Sequence, residues 1–346
     1  MKTLRDVRDL AAAALIAPED AAGLETVAAR YAIAITPAMA ALRAPGDARD
    51  PIALQFVPDL AELDRKPDEL DDPIGDHAHS PLEGVVHRYP DRVLLKLLHV
   101  CPVYCRFCFR REMVGPGEDA VLAPAKVDAA LAYIETHSEI WEVILTGGDP
   151  LMLSPRRLAE IMGRLAAMAH VRIIRLHSRV PAVDPARITP EMVAALRVAG
   201  AATYVALHAN HPRELTLEAR AACARLIDAG IPMLGQTVLL KGVNNDIETL
   251  TALMRAFVET RIKPYYLHHP DLAPGTARFR LPVAEGQALV RALQGSVSGL
   301  CQPTYVLDIP GGHGKAPLGP GYVEARAAGV HLTDFRGNGH AYGDAG

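Results

Sequence analysis

The 346-residue sequence is poor in aromatic residues, which make up 5% of it, with one tryptophan. Half of the residues are hydrophobic, so the core is expected to be aliphatic, and the length allows a large one. No apolar run approaches the ~18–20 residues needed to cross a bilayer, which excludes an α-helical membrane span. A dominant charge is lacking too: 36 Lys and Arg stand against 40 Asp and Glu, for a net charge of −4. That balance offers no nucleic-acid surface. There are five cysteines, three of them clustered, which argues against a disulfide framework and for a reducing cytoplasm. The apolar run Leu10–Ala17 is no secretion signal, because Asp6 and Asp9 interrupt the basic region before it and Pro18-Glu19-Asp20 replaces a small-residue cleavage site. A short helix is expected there.

The clustered cysteines lie in Cys101-Pro-Val-Tyr-Cys105-Arg-Phe-Cys108-Phe-Arg-Arg-Glu112, directly behind an apolar run. A [4Fe-4S] cube held by protein alone takes four thiolates, one per iron, and this loop offers three. One iron then stays open, and an open metal position is where a small molecule can coordinate. Arg106, Arg110 and Arg111 add positive charge that offsets an anionic cluster and favours thiolate over thiol. The alternatives are a zinc knuckle or buried reduced cysteines. Zinc sites favour paired cysteines with a second pair downstream, whereas Cys223 and Cys301 stand alone.

Residues 1 to about 70 show helical periodicity broken by turns, over Ala11–Leu15, Asp20–Tyr31, Pro37–Leu42 and Pro51–Leu63. Pro67–Pro81 is a Pro-, Gly- and Asp-rich connector without periodicity. From residue 91 short β-rich runs alternate with amphipathic helices, the pattern of βα units on a parallel sheet. Strands are expected near Val93–His99, Glu142–Thr146, Arg172–His177, Thr203–His208, Met233–Leu240 and Pro264–His268. Helices are expected near Pro124–Thr136, Pro155–Ala169, Pro190–Ala199, Leu215–Ala229, Ile247–Thr260 and Val283–Leu293, with proline at three helix starts and Gly200 and Gly230 at helix ends. The class is α/β, a partial (β/α)6 barrel over 86–300, preceded by a helical region and connector (1–85) and followed by a C-terminal segment (301–346).

In such a barrel the loops after the strands build the site. Those loops carry Cys101–Cys108, Thr146-Gly147-Gly148-Asp149, His177-Ser178-Arg179, His208-Ala209-Asn210-His211, Gln236 to Asn244, and His268-His269-Pro270-Asp271. Any one has a structural explanation, since Asp and Asn cap helices and His often sits satisfied near a core. Six at one mouth point to a site. Glycines 147 and 148 permit close backbone approach to a ligand, or else form a tight turn that Asp149 caps. In Asp308-Ile-Pro-Gly311-Gly-His-Gly314-Lys315-Ala-Pro, behind the strand-like Thr304–Leu307, a lysine in a Gly-rich loop suits reversible Schiff-base chemistry with an aldehyde cofactor. It is not a P-loop, because Ala316 stands where Ser or Thr is required.

The C-x₃-C-x₂-C spacing, with an aromatic residue before the last cysteine, resembles the signature of the radical S-adenosylmethionine superfamily. His87-Arg-Tyr-Pro-Asp-Arg-Val-Leu before the loop and Arg110-Arg-Glu after it are similar, more narrowly, to the lysine 2,3-aminomutase family, and the resemblance runs from about residue 50 to 340. It implies a [4Fe-4S] cluster on Cys101, Cys105 and Cys108. It implies S-adenosyl-L-methionine near Gly147, Gly148, Asp149, His208, Asn210 and Gln236, and pyridoxal 5′-phosphate on Lys315 with Arg88 and Tyr89 around it. Arg110 would hold the substrate carboxylate, and Asp271 and Asp308 the distal ammonium of L-lysine. Two carboxylates facing one ammonium suit a diamino acid and repel a glutamate side chain.

The implied activity is an isomerase moving the α-amino group of L-lysine to the β carbon, with an electron donor such as flavodoxin or ferredoxin, as a monomer or homo-oligomer. His313 stands where the family has a further glycine and His268 where the larger clostridial-type enzymes have tyrosine, and those enzymes' C-terminal structural-zinc cysteines are missing after Cys301. The resemblance also admits an aminomutase acting on a lysine for modification of translation elongation factor P, or one for another amino acid. A non-enzymatic reading, an iron–sulfur electron carrier, leaves Lys315 without a role.

Overall fold

The computed structural model describes residues 2–44, 47, 49–115, 120–326 and 329–343; the last three residues of the C-terminal segment lie outside them. One sheet of nine strands carries the fold, in chain order: β1 (Val85–Tyr89), β2 (Arg92–Leu98), β3 (Glu142–Gly147), β4 (Ile173–Ser178), β5 (Ala202–His208), β6 (Met233–Val238), β7 (Ile262–His268), β8 (Thr304–Asp308) and β9 (Lys315–Pro317). Neighbours from β2 to β8 are parallel. Antiparallel hairpins close both ends. The six expected strands lie within two residues of their expected bounds. Thr304–Asp308 adds a seventh parallel strand, so the sheet continues past residue 300.

Two features escaped the sequence reading. β1 pairs with β2 through a turn at Pro90-Asp91, with Tyr89 opposite Arg92, and five residues are too few to display a period. Beyond β9, β10 (Val323–Arg326), β11 (Gly329–Thr333) and β12 (Gly339–Tyr342) form a separate antiparallel meander whose outer strands are exposed throughout, so they carry no alternation to read.

The crossover helices follow their sequences closely. Helix Ile247–Glu259 starts where Asp246 accepts a hydrogen bond from Thr249 N, and it buries Leu250, Leu253, Met254 and Phe257, one face at i, i+3, i+4 and i+7. Each such side chain contributes about 1.5–3 kcal/mol by burial. Helix Pro155–Ala166 repeats the design with Leu158, Ile161, Met162 and Leu165 behind a Ser154 cap. Gly230 takes φ of 85° directly after the cap of helix Leu217–Asp228, a conformation other residues adopt only with strain; helix Pro190–Leu196 is capped at Arg197, short of the expected end at Ala199, so Gly200, with φ of 102°, lies in the connection to β5 and does not end that helix. Among the described residues no helix is long and apolar enough to cross a membrane.

The N-terminal helices brace the cysteine loop. Tyr104 N donates to Ala34 O (3.1 Å) and Arg106 N to Gln55 O (2.8 Å). The connector is tied on two sides: Gly275 N donates to Glu69 Oε2 (2.9 Å), and His79 Nε2 lies 3.0 Å from Gly312 O.

Candidate active site

Because the seven parallel strands all point one way, the loops behind them meet at one mouth. Cys101, Cys105 and Cys108 are half-buried free thiols in the loop after β2. Burial pushes all three up, Cys108 to about 11, and Cys101 also senses the charges of Asp149, Cys108 and Cys105. Irons that bind here must displace protons, as metal binding to cysteine generally does. Among the described residues no three His, Cys, Asp or Glu gather closely enough for one ion; thiolates on separate irons of a cluster stand further apart than that.

The arginines in the loop do something other than expected. Arg106 and Arg111 both bind Glu62 of the N-terminal region, Arg106 Nε reaching each carboxylate oxygen at 3.0 Å. Arg110 binds Asp76, with Nη2 to Oδ2 at 2.9 Å. These guanidiniums lie near the thiols, but each has a carboxylate partner. The guanidinium that touches a cysteine is Arg179, whose Nη1 donates to Cys105 Sγ at 2.9 Å, while Nη2 pairs with Glu214 at 2.5 Å and Gln55 at 3.2 Å. The burial of Cys105 raises it and Arg179 lowers it, burial being the larger effect. The sequence placed Arg179 at the mouth but gave it no role. Nothing local links it to Cys105, 74 residues earlier.

Behind β3, Gly148 approaches the cysteine loop so closely that a Cβ would lie 2.4 Å from Val100 O, and Gly148 N donates to Leu98 O at 2.5 Å. These glycines therefore serve chain-to-chain contact, and Gly147 adds a φ of 103°. Asp149 differs from its expected place as a cofactor contact. Its buried carboxylate accepts from Ser178 Oγ and from the backbone N of Leu151, Arg179 and Val180, so its side chain braces the loops after β3 and β4. Asn210 is likewise engaged, accepting from Val238 N (2.9 Å) and donating to Gln55 Oε1 (3.0 Å). Gln236 stands 3.5 Å from His177 Nε2. His208 is different: its Nε2 is buried with no partner among the described residues, and burial holds the ring neutral.

At the far edge of the sheet, Asp308 and Lys315 are cross-strand partners of the β8–β9 hairpin. The six residues between them, 309–314, form the turn. Gly311, Gly312 and Gly314 take φ of 83°, 84° and 88° within it, and Ile309 N donates to Gly314 O (2.8 Å). Lys315 Nζ bonds both Asp308 oxygens, at 2.6 and 2.5 Å, and its backbone N donates to Tyr89 Oη at 2.9 Å. Arg88 Nη1 stands 3.8 Å from Asp308, while its Nε is buried without a partner among the described residues. His268 lies 3.8 Å from Asp308, with burial pushing it down to about 3. Asp271 completes the group, pushed up to about 7 first by burial and then by Asp308. Asp271 and Asp308 line one cavity of about 450 Å³ with His269, Leu281 and Leu307.

This mouth, with three thiols on one side and an amine among carboxylates on the other, is matched by two family models: Radical SAM superfamily over residues 95–254 and Lysine-2,3-aminomutase over residues 290–345. The chain is thus an enzyme of the radical S-adenosylmethionine class. It is 39% identical to L-lysine 2,3-aminomutase of Clostridium subterminale over 320 residues, 92% of this chain and 76% of that one. It is 41% identical to that of Acetoanaerobium sticklandii over 93% of this chain and 78% of the relative. Glutamate 2,3-aminomutase of Clostridioides difficile is 34% identical over 93% of this chain and 76% of its own length. Among solved structures, a radical SAM methyltransferase from Sphaerobacter thermophilus is similar with a TM-score of 0.46 and 19% identity, covering 64% of this chain and 68% of that one.

The chain belongs to the lysine 2,3-aminomutase family, isomerases that work with a [4Fe-4S] cluster, S-adenosyl-L-methionine and pyridoxal 5′-phosphate. The residues fit these groups. Three thiols form the donor set, His208 Nε2, unpartnered among the described residues, offers a contact, and the amine of Lys315 and the guanidinium of Arg88, whose Nε is likewise unpartnered, both face Asp308.

Proposed function

We propose that the chain moves the α-amino group of L-lysine to its β carbon. The observation that carries this reading is the pair Asp271 and Asp308 at the mouth, where Asp308 is already paired with the ammonium of Lys315 and Asp271 is pushed up first by burial and then by Asp308. A second ammonium, at the distal end of lysine, completes the pairing. A glutamate side chain would add a third carboxylate.

When bound, pyridoxal phosphate supplies delocalisation for the migrating nitrogen, and the cluster with S-adenosyl-L-methionine supplies the radical chemistry. The protein positions and shields. Cys101, Cys105 and Cys108 would hold the irons, with Arg179 orienting Cys105. Gly147, Gly148, His208, Asn210 and Gln236 surround the S-adenosyl-L-methionine site, Asp149 and Asn210 chiefly by fixing the loops. Lys315 would carry pyridoxal phosphate and Arg88 would hold its phosphate, while Tyr89 fixes the lysine strand. Arg110 receives the substrate carboxylate, a contact that suits a planar fork. Residues 86–300 carry the radical chemistry, 301–346 the lysine hairpin and 1–85 the brace. Flavodoxin or ferredoxin is the proposed reductant.

The test is anaerobic incubation of reconstituted protein with L-lysine, S-adenosyl-L-methionine, pyridoxal phosphate and dithionite, with L-glutamate in parallel. β-Lysine is the expected product. No lysine turnover with all three cofactors bound, or faster turnover of glutamate, would overturn the assignment. Asp308→Asn is expected to lower kcat/KM for lysine by roughly two to three orders of magnitude, since losing one partner of a recessed charged pair costs ~2–5 kcal/mol.

A further inference from the structure

Asp76 lies in the 67–81 connector, where no period or motif marks it, and it is 2% exposed. Its Oδ2 accepts from Arg110 Nε (3.3 Å) and Nη2 (2.9 Å) and stands 3.8 Å from Lys96 Nζ. Its Oδ1 accepts from Arg88 Nη2 at 3.3 Å. The backbone that carries it is fixed as well: Asp76 N donates to Asp72 Oδ1 (2.8 Å), Ser80 Oγ donates to Asp76 O (2.8 Å), and Arg88 Nη2 also donates to Ile74 O (2.6 Å). One carboxylate therefore serves three recessed cations. Arg88 Nη1 also stands 3.8 Å from Asp308, while its Nε is buried with no partner among the described residues, a donor left free for an incoming anion.

We propose that Asp76 is a positioning residue, a single buried carboxylate that sets Arg88 and Arg110 in fixed relation and so aligns the cofactor phosphate with the substrate carboxylate. This rests on the roles given above to Arg88 and Arg110. Arginine side chains have many rotamers, and two guanidiniums without a shared anion repel each other. Each would still attract an anion, more strongly than before, because a nearby negative charge has gone. What is lost is alignment, and a misplacement of ~1 Å costs roughly 100-fold in rate. Positioning therefore predicts a fall in kcat without a matching loss of binding, which a merely structural carboxylate would not produce.

The experiment uses the reconstituted holoenzyme with Asp76→Asn. The expected result is a kcat for lysine lower by about 100-fold, with KM for lysine and the Kd for pyridoxal phosphate, from absorbance titration, changed less than tenfold. The circular dichroism of bound pyridoxal phosphate weakens as its ring loses a single orientation. A second comparison covers the case of a poorly folding single variant: in Asp76→Asn/Arg110→Gln a carboxylate and a cation leave together. There the loss beyond Arg110→Gln alone is less than tenfold, because Asp76 acts largely through Arg110. Unchanged kcat and dichroism in Asp76→Asn, or the full 100-fold loss repeated in the Arg110→Gln background, would overturn the proposal. If the unmodified protein fails to turn over lysine, the function falls, and the dichroism still decides the role of Asp76.

Discussion

Asp271 concentrates the electrostatics of the mouth. Burial pushes its carboxyl from 3.8 up to about 7; Asp308 and Asp76 act in the same direction, and Lys315 and Arg110 oppose it. Between those values the folded chain keeps a proton that the unfolded chain releases, so this group's effect is a loss of stability as pH rises through that window. Asp271→Asn is expected to melt higher than the unmodified protein at pH 8, with the difference gone below about pH 4. Substrate works in the opposite sense, because a lysine ammonium favours the carboxylate. KM for lysine should fall as pH rises through about 7, and a KM that is flat from pH 6 to 8 would show that Asp271 does not meet the ammonium. Lys315 is checked separately. Borohydride treatment of protein loaded with pyridoxal phosphate should leave the cofactor on the peptide containing Lys315, and Lys315→Ala should leave none. A trapped adduct on another lysine would rule out this assignment.

The β8–β9 hairpin shows what the sequence made legible among elements and what it concealed. Helix Ile247–Glu259 could be read because one face is buried along its whole length, and the strands β2 to β7 because they are buried aliphatic runs between turns. β9 has three residues, and only Ala316 is partly covered. Its lysine was legible as chemistry, from the glycines before it, and not as a strand. Asp76 and Glu62 were illegible for another reason. Their arginine partners lie 12 to 216 residues away, and no local period encodes pairings over such ranges. The connector meets the hairpin at Gly75, whose φ is 69° and where a Cβ would stand 2.2 Å from Gly312 N. Gly75→Ala must force the two segments apart, at a cost of order 1–3 kcal/mol. Pyridoxal phosphate affinity, titrated by absorbance, should drop roughly 5- to 150-fold while iron content stays as in the unmodified protein. Equal loss of iron would show that the connector supports the whole mouth.

At the scale of the molecule, the N-terminal region and the sheet are joined through Glu62. Its side chain is fully buried and pairs with Arg106 and Arg111 of the cysteine loop and with Arg278 beyond β7. Those guanidiniums, together with desolvation that works against them, set its charge, and the result is a carboxyl held below its ordinary value. Removing one partner from a buried ion cluster typically costs about 3–5 kcal/mol, so Glu62→Gln should lower Tm markedly. Because two of the three arginines flank the cysteines, the same substitution should weaken cluster retention although Glu62 is no iron ligand. Reconstituted protein should hold about four irons per chain. Cys105→Ala should lose them, and Cys223→Ala, buried on helix Leu217–Asp228, should keep them. Glu62→Gln should take up iron on reconstitution and then release it to a chelator faster than the unmodified protein does. If Glu62→Gln retained iron as firmly as Cys223→Ala, the N-terminal region would be a stabilising cover and not part of the support of the cluster.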